Sequence, residues 1–493
     1  MSLAPGPSPM TAPDKPRRGL FTGLLAAAIV MAGLWLWVCW CLFPVSPWND
    51  VRLAPSFALA HGLPVYPGET TGAVSTWIYG PLPVLLWWPA TWASSAARAV
   101  LAAGAINLAI SVAAIGVVCA AWPAPAGRAL SRTDRLLAAA LAVALWPRAT
   151  FQFLQADNVA GALGLVGLLV LVRVPSRRGR WGAAALAVAG LACKQTSIGV
   201  PAAQIVWLGL TAGWKEAGRH TGRCLFGGLV VAGLVVTAFG WESLRLNLLA
   251  VPAHLPWVPQ PWHRILEYLP ELSIQFIVPL ALTAGYGRRL LARDSVLLLP
   301  SLAWLLSMPA GLAAMLKIGG SLNSLQGFGY WLPPALLLGL ALARGQPRAR
   351  ALAGAAAFAG MAICSVRVWR IPSVSFRPLV EHYQQADFLA RRFSHEIWFP
   401  WNPLVTIYSE NRLYHAEDGL YLRFVAGHAL TLSHARQDLP AKMCVIALPR
   451  GGTDWGIALS LLPPNARHDD FGLWTLYSWP PETSATAPPP PRS

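Results

Sequence analysis

The chain has 493 residues, of which 55% are apolar and only 12% charged, and its mean hydropathy is +0.48. That composition excludes an ordinary soluble globular fold and points to a polytopic membrane protein. The net charge of +17 does not imply nucleic acid, because half of the basic residues crowd into short gaps at 15–18, 128–135, 173–180, 215–223, 288–293 and 344–350. Arginine-rich gaps between apolar runs are the positive-inside mark of cytoplasmic loops.

The first apolar run, 20–43, follows Lys15, Arg17 and Arg18 and is long enough to cross a bilayer. It lacks the short core and small-residue cleavage site of a cleaved signal peptide. Further runs at 97–121, 134–147, 155–172, 181–193, 196–213, 224–241, 271–286, 295–316, 328–343 and 351–367 bring the expected count to about eleven crossings, N-terminus inside and C-terminus outside. Residues 1–19 then form a cytoplasmic tail and 20–367 a transmembrane domain whose first external loop is 44–96. The run 80–92 is expected to lie in the outer interface as a Trp- and Pro-rich helix, since counting it as a span would place the 128–135 cluster outside.

From 368 the composition becomes that of a small α/β unit ending near 480. A helix is expected over 376–393, strands in KMCVIALP and FGLWTLYSW, and two strands about a polar turn in LVTIYSENRLYH. Residues 481–493 read as a disordered Pro-rich tail. No zinc-ligand spacing and no phosphate-binding GxxxxGK[ST] loop occurs.

The polar residues of the external side are the candidates for chemistry. Asp50 lies a few residues past the first span, where a carboxylate is usually functional. Its alternative is to cap the short helix that follows. Lys194 stands between two apolar runs, a setting too costly for an ammonium without a partner. Arg98 either meets a phosphate or snorkels from a helix end. Asp157 either orients a substrate or pairs with Arg148, and Asn323 either bonds a sugar or caps its own glycine-rich loop. Tyr79 completes the set.

Asp50 with the short helix after it, the GLPVY turn and WIYGPL resembles the first external loop of GT-C membrane glycosyltransferases, particularly the bacterial family 39 and 87 branches. AARAVLAAG at Arg98, WPRATFQFLQADN, GLACKQTS at Lys194 and GGSLNSLQGFGYWLPP follow in the order such proteins show, so the likeness covers about 20–367. The resemblance implies a multi-pass enzyme of the bacterial inner (plasma) membrane with an extracytoplasmic active site. It would be an inverting hexosyl- or pentosyltransferase moving sugar from a polyprenyl phosphate to a hydroxyl on a cell-envelope glycan, lipid or protein. Asp50 would be the catalytic base, Lys194 and Arg98 would bind the donor phosphate, and Tyr79, Arg148, Asp157 and Asn323 would bind substrate. Many relatives carry a second acid beside the first, whereas Asn49 and Val51 flank Asp50 here, so a divalent cation is left open. The competing expectation is a transporter or flippase of lipid-linked sugars, against which stand the absence of an internal repeat and the gathering of charges at one face.

Overall fold

The computed structural model describes residues 16–42, 46–75, 77–124, 130–146, 153–269, 296–325, 327–343, 378–451 and 455–480. These are mostly helical. Helix α1 (Pro16–Leu42) leads into the short α2 (Pro47–Ala60), then α3 (Leu82–Trp87) and a 3₁₀ turn at Trp88–Trp92. The helices of the main bundle begin with α4 (Ala96–Ala121) and continue as α5 (Arg132–Leu145), α6 (Ala156–Arg173), α7 (Arg177–Leu191), α8 (Gly199–Ala212) and α9 (Trp214–Phe239). After a helical stretch interrupted by a π turn at Arg245–Ala250 come α10 (Leu298–Met315) and α11 (Phe328–Ala343).

The helix starts are written locally. Ser95 and Ser176 accept the N–H groups of Arg98 and Gly179, and Ser131 with Asp134 forms a reciprocal capping box at the head of α5. Gly213, at φ 92°, both closes α8 and opens α9, a backbone state that a side chain would strain.

Among the described residues, α4, α6, α9 and α10 are long and apolar enough to cross a membrane. Helices α5, α7 and α8 have 14, 15 and 14 residues, roughly 21–23 Å at 1.5 Å per residue, short of a bilayer core of about 30 Å. The expected spans 271–286 and 351–367 lie outside the described residues. The run expected in the interface at 80–92 is α3 with its 3₁₀ extension, too short to cross.

Helices α6 and α7 form the tightest antiparallel pair, with α4 against α6, α8 against α9 and α10, and α5 against α1, α4 and α11. The core they enclose includes Leu165, Leu168, Ala183, Val200, Trp304 and Trp331. Helix α9 is different: the apolar window of its sequence buries none of its residues inside the protein, so its surface suits lipid.

In the C-terminal part, α12 (Pro378–Arg392) occupies the expected amphipathic segment and a four-stranded sheet follows. Strands β1 (Ile397–Trp398), β2 (Val445–Pro449), β3 (Arg467–Phe471) and β4 (Trp474–Ser478) are ordered β1-β2-β4-β3, with β1 parallel to β2 and the other pairings antiparallel. The expected hairpin in LVTIYSENRLYH is instead helix α13 (Pro403–Glu410), closed by Asn411 in the left-handed conformation, then irregular chain. Pro403 at the first helical position and a buried stripe of Leu404, Val405 and Ile407 outweigh the β-branched residues. This part does not own a separate core. Tyr383, Phe399, Leu404 and Trp474 share one cluster with Phe57, Trp77 and Trp87 of the first loop.

Candidate active site

Asp157 opens α6, and Lys194 follows the end of α7, the partner that runs back beside it. The Arg173–Arg177 turn closes this hairpin at one end, so both charges lie at the other, and α6 alone spans about 27 Å between them. Lys194 Nζ donates to both oxygens of Asp157, at 2.5 and 2.6 Å. Both side chains are almost wholly buried, at 6% and 5% exposure. Removing one partner of such a pair strands the other charge and costs about 3–5 kcal/mol.

Two other segments close on the pair. Asn323, in the 3₁₀ turn between α10 and α11, donates from Nδ2 to Asp157 Oδ2 at 3.0 Å, and Ser321 hydrogen-bonds the Asn323 side-chain oxygen. The Tyr79 ring faces Lys194, with Nζ 5.2 Å from its centroid, a cation–π arrangement. Tyr79 is held because Tyr66 donates its hydroxyl to the Tyr79 carbonyl at 2.8 Å and Gly80 N–H reaches the Cys193 carbonyl at 3.1 Å. A Cβ on Gly80 would lie 1.9 Å from the Ala192 carbonyl oxygen, so only glycine allows this crossing. Beside Asp157 is a small polar cavity of about 20 Å³ lined by Thr196, Ser197, Ser307, Ser324, Gly327 and Tyr330, room for about one water. None of these hydroxyls was singled out by the sequence, though Thr196 and Ser197 lie within GLACKQTS, and Ser324 and Tyr330 within GGSLNSLQGFGYWLPP.

The structure thus brings together Tyr79, Asp157, Lys194 and Asn323. Asp157 pairs with Lys194, where the sequence had offered Arg148 as its partner; Arg148 lies outside the described residues. Arg98 does not join the group: its Nη1 donates to Ser94 Oγ at 2.7 Å at the exposed start of α4.

Asp50 is also buried, but among other partners. Its Oδ1 accepts the Leu404 N–H at 2.9 Å, and its Oδ2 accepts the Tyr383 hydroxyl at 2.8 Å and Asn402 Nδ2 at 3.4 Å. It therefore caps the head of α13, a helix of the C-terminal part, and not α2 as the sequence alternative had it, since Asp50 lies inside α2, whose N-cap position is Ser46. Burial pushes its carboxyl up to about 7, against those three hydrogen bonds, which pull it down. Next along the α2 surface, Arg52 donates to the Leu154 carbonyl at 3.1 Å and stacks on Trp48. Helix α14 (Glu417–Val425) brings in Asp418, whose two buried carboxylate oxygens have no well-formed hydrogen bond to another side chain among the described residues. Burial lifts Asp418 to about 7 even with the Arg52 charge pulling it down. Nothing in the sequence around Asp418 announces it, since its surroundings are assembled from segments hundreds of residues apart.

His415, His434 and Asp438 present ligand atoms within 4.8 Å of one another. They do not fit a cation. His415 Nδ1 accepts the Val74 N–H at 2.8 Å, which puts the proton on Nε2 and leaves that nitrogen no lone pair. Both nitrogens of His434 face backbone carbonyls, of Glu69 at 2.9 Å and Gly72 at 3.0 Å.

No family model and no curated protein matches the chain. Among solved structures, the crystal structure of ArnT from Cupriavidus metallidurans bound to undecaprenyl phosphate is similar to 93% of this chain and 98% of its own, at 12% identity and a TM-score of 0.53. The chain has the fold of ArnT along nearly its whole length.

Proposed function

We propose that the protein is a membrane glycosyltransferase that moves a sugar from a polyprenyl phosphate to a hydroxyl acceptor on the extracytoplasmic side. The observation that carries this is the buried Lys194–Asp157–Asn323 group with the half-buried Tyr79 over it, at the end of the α6–α7 hairpin remote from its Arg-rich turn. It occurs in a fold shared with a protein seen bound to undecaprenyl phosphate. Lys194 meets the donor phosphate, and Asp157 with the Tyr79 ring holds the ammonium in place until the phosphate arrives. Asn323 fixes Asp157 in turn.

Asp50 takes the acceptor's proton. A carboxyl near 7 has the proton affinity a base needs close to neutrality. The Tyr383 hydroxyl occupies the position on Oδ2 that an acceptor hydroxyl would take, so binding exchanges one O–H donor for another. The acceptor oxygen then bonds to the anomeric carbon, the bond from that carbon to the phosphate oxygen breaks, and the freed phosphate's charge is met by Lys194. This sequence places the acceptor and the leaving phosphate on opposite faces of the sugar and inverts it.

The test uses the purified full chain in detergent with a labelled polyprenyl-phosphate sugar and an envelope-lipid extract as acceptor. Label moves to a new product with the parent; Lys194→Ala loses donor binding, and Lys194→Arg retains part of it. Donor movement across vesicles without any new glycoside would replace the enzyme by the transporter reading, and donor binding by Lys194→Ala equal to the parent's would remove the phosphate assignment.

A further inference from the structure

At the opposite end of the hairpin the sequence shows only short Arg-rich connectors, with too little chain to build a site. The fold makes one anyway by setting the heads of α7 and α9 side by side. Between them is a cleft of about 700 Å³ lined by Arg177, Arg180, Arg219 and Arg223, with Trp181, Phe226 and the single acid Glu216. Three guanidiniums converge on that acid: Arg180 at 2.7 Å, Arg223 at 2.9 Å and Arg219 at 3.2 Å. Glu216 is buried and cannot neutralise them all. A carboxylate has about four acceptor positions, whereas each guanidinium carries five donors in a planar fork, so Glu216 organises the arginines that line the cleft without satisfying all of their N–H groups. Arg177 adds a fourth charge from the exposed first turn of α7.

The walls say what kind of anion fits. Trp181 and Phe226 meet edge to face at 5.9 Å and are 39% and 59% exposed. Beyond them α9 shows Leu225, Leu229, Val230 and Leu234 to its surroundings. A free anion would gain nothing from that apolar flank, but a lipid would lay its chains along it with its phosphate among the arginines. We infer that this cleft binds the headgroup of an anionic phospholipid of the leaflet that the sequence assigns to the cytoplasm. The inference is independent of the transferase reading, since it uses neither Lys194 nor Asp50.

The variant that tests it is Arg177→Gln with Arg219→Gln, which leaves Glu216 paired with Arg180 and Arg223 and so keeps the buried charge satisfied. Full-length protein in a neutral detergent is titrated with phosphatidylglycerol, phosphatidylcholine or inorganic phosphate, following the melting temperature and, by native mass spectrometry, the lipid retained. Phosphatidylglycerol stabilises the parent and is retained, whereas phosphatidylcholine and phosphate do neither. The double variant needs about 30-fold more phosphatidylglycerol for the same effect, as expected for two basic side chains at a lipid surface. An unchanged response in the double variant, or an equal rise with inorganic phosphate in the parent, overturns the assignment.

Discussion

Asp50 is the residue for which a cap and a base predict different outcomes. Asn at position 50 keeps the oxygen that accepts the Leu404 N–H but cannot take a proton. If Asp50 is the base, Asp50→Asn lowers sugar transfer by about 10²–10⁴-fold while donor binding stays near the parent's. Tyr383→Phe, which clears the hydroxyl from Oδ2, leaves transfer within a few-fold of the parent or raises it. Near-parental transfer by Asp50→Asn, with Tyr383→Phe equally active, would make Asp50 purely a cap. The charges at the centre of the site are legible in the sequence, because Lys194 and Asp157 each interrupt apolar chain where an ion is costly. Their partnership is not, and neither is the company of Asp50: Leu404 lies 354 residues away along the chain, and no local pattern links the two.

Among the elements, the WIYGPL crossing carries the most risk for the least sequence. Gly80 lets this segment lie against the end of α7, and a methyl group there would meet the Ala192 carbonyl at 1.9 Å. Gly80→Ala must push the two backbones apart, breaking the Gly80–Cys193 hydrogen bond and moving Tyr79 off Lys194. The expected result is a destabilisation of about 1–3 kcal/mol, the usual range for overpacking a filled site, with donor binding reduced along with it. Parental donor affinity in Gly80→Ala would show that Tyr79 does not set the Lys194 position. The long helices were readable from apolar runs alone, as with α4, α6, α9 and α10. Where the sequence pattern failed, in 403–414, it did so because α13 takes its stability from burial against α2 and from the Asp50 cap. Both lie outside any window of local sequence.

For the whole molecule, buried ionisable groups outside the spans set how stability follows pH. Asp50 and Asp418 are held near 7, above the ordinary carboxylate value of about 4, so protonation favours the folded state. Their contribution is complete below pH 4 and is lost as pH rises through about 7. His382 and His415 are pushed down to about 4 by burial and act in the other direction, favouring the folded state as pH rises from about 4 to 6.5. The parent's profile mixes the two, so the difference between parent and variant is the useful quantity. Asp418→Asn matches the parent at pH 4 and becomes relatively more stable by up to about 1.4 kcal/mol per unit up to pH 7, then levels off. Chemical denaturation of both proteins at pH 4, 5, 6, 7 and 8 measures it, and a constant difference across that series would mean that Asp418 does not titrate in the folded protein.

The core that joins Phe57, Trp77 and Trp87 to Tyr383, Phe399 and Trp474 also fixes a timetable for biosynthesis. The first loop leaves the ribosome early, and the chain that covers it comes 354 residues later for the Asp50–Leu404 contact. At about 5–20 residues per second that is a wait of roughly 20–70 seconds. Throughout it, large aromatic side chains covered on one side only, by α4 and the head of α6, and a carboxylate without its partners wait for the rest of their core. A nascent chain cut short before α12 would leave them so permanently, which makes the last quarter of the sequence the part whose arrival decides whether the rest survives proteolysis.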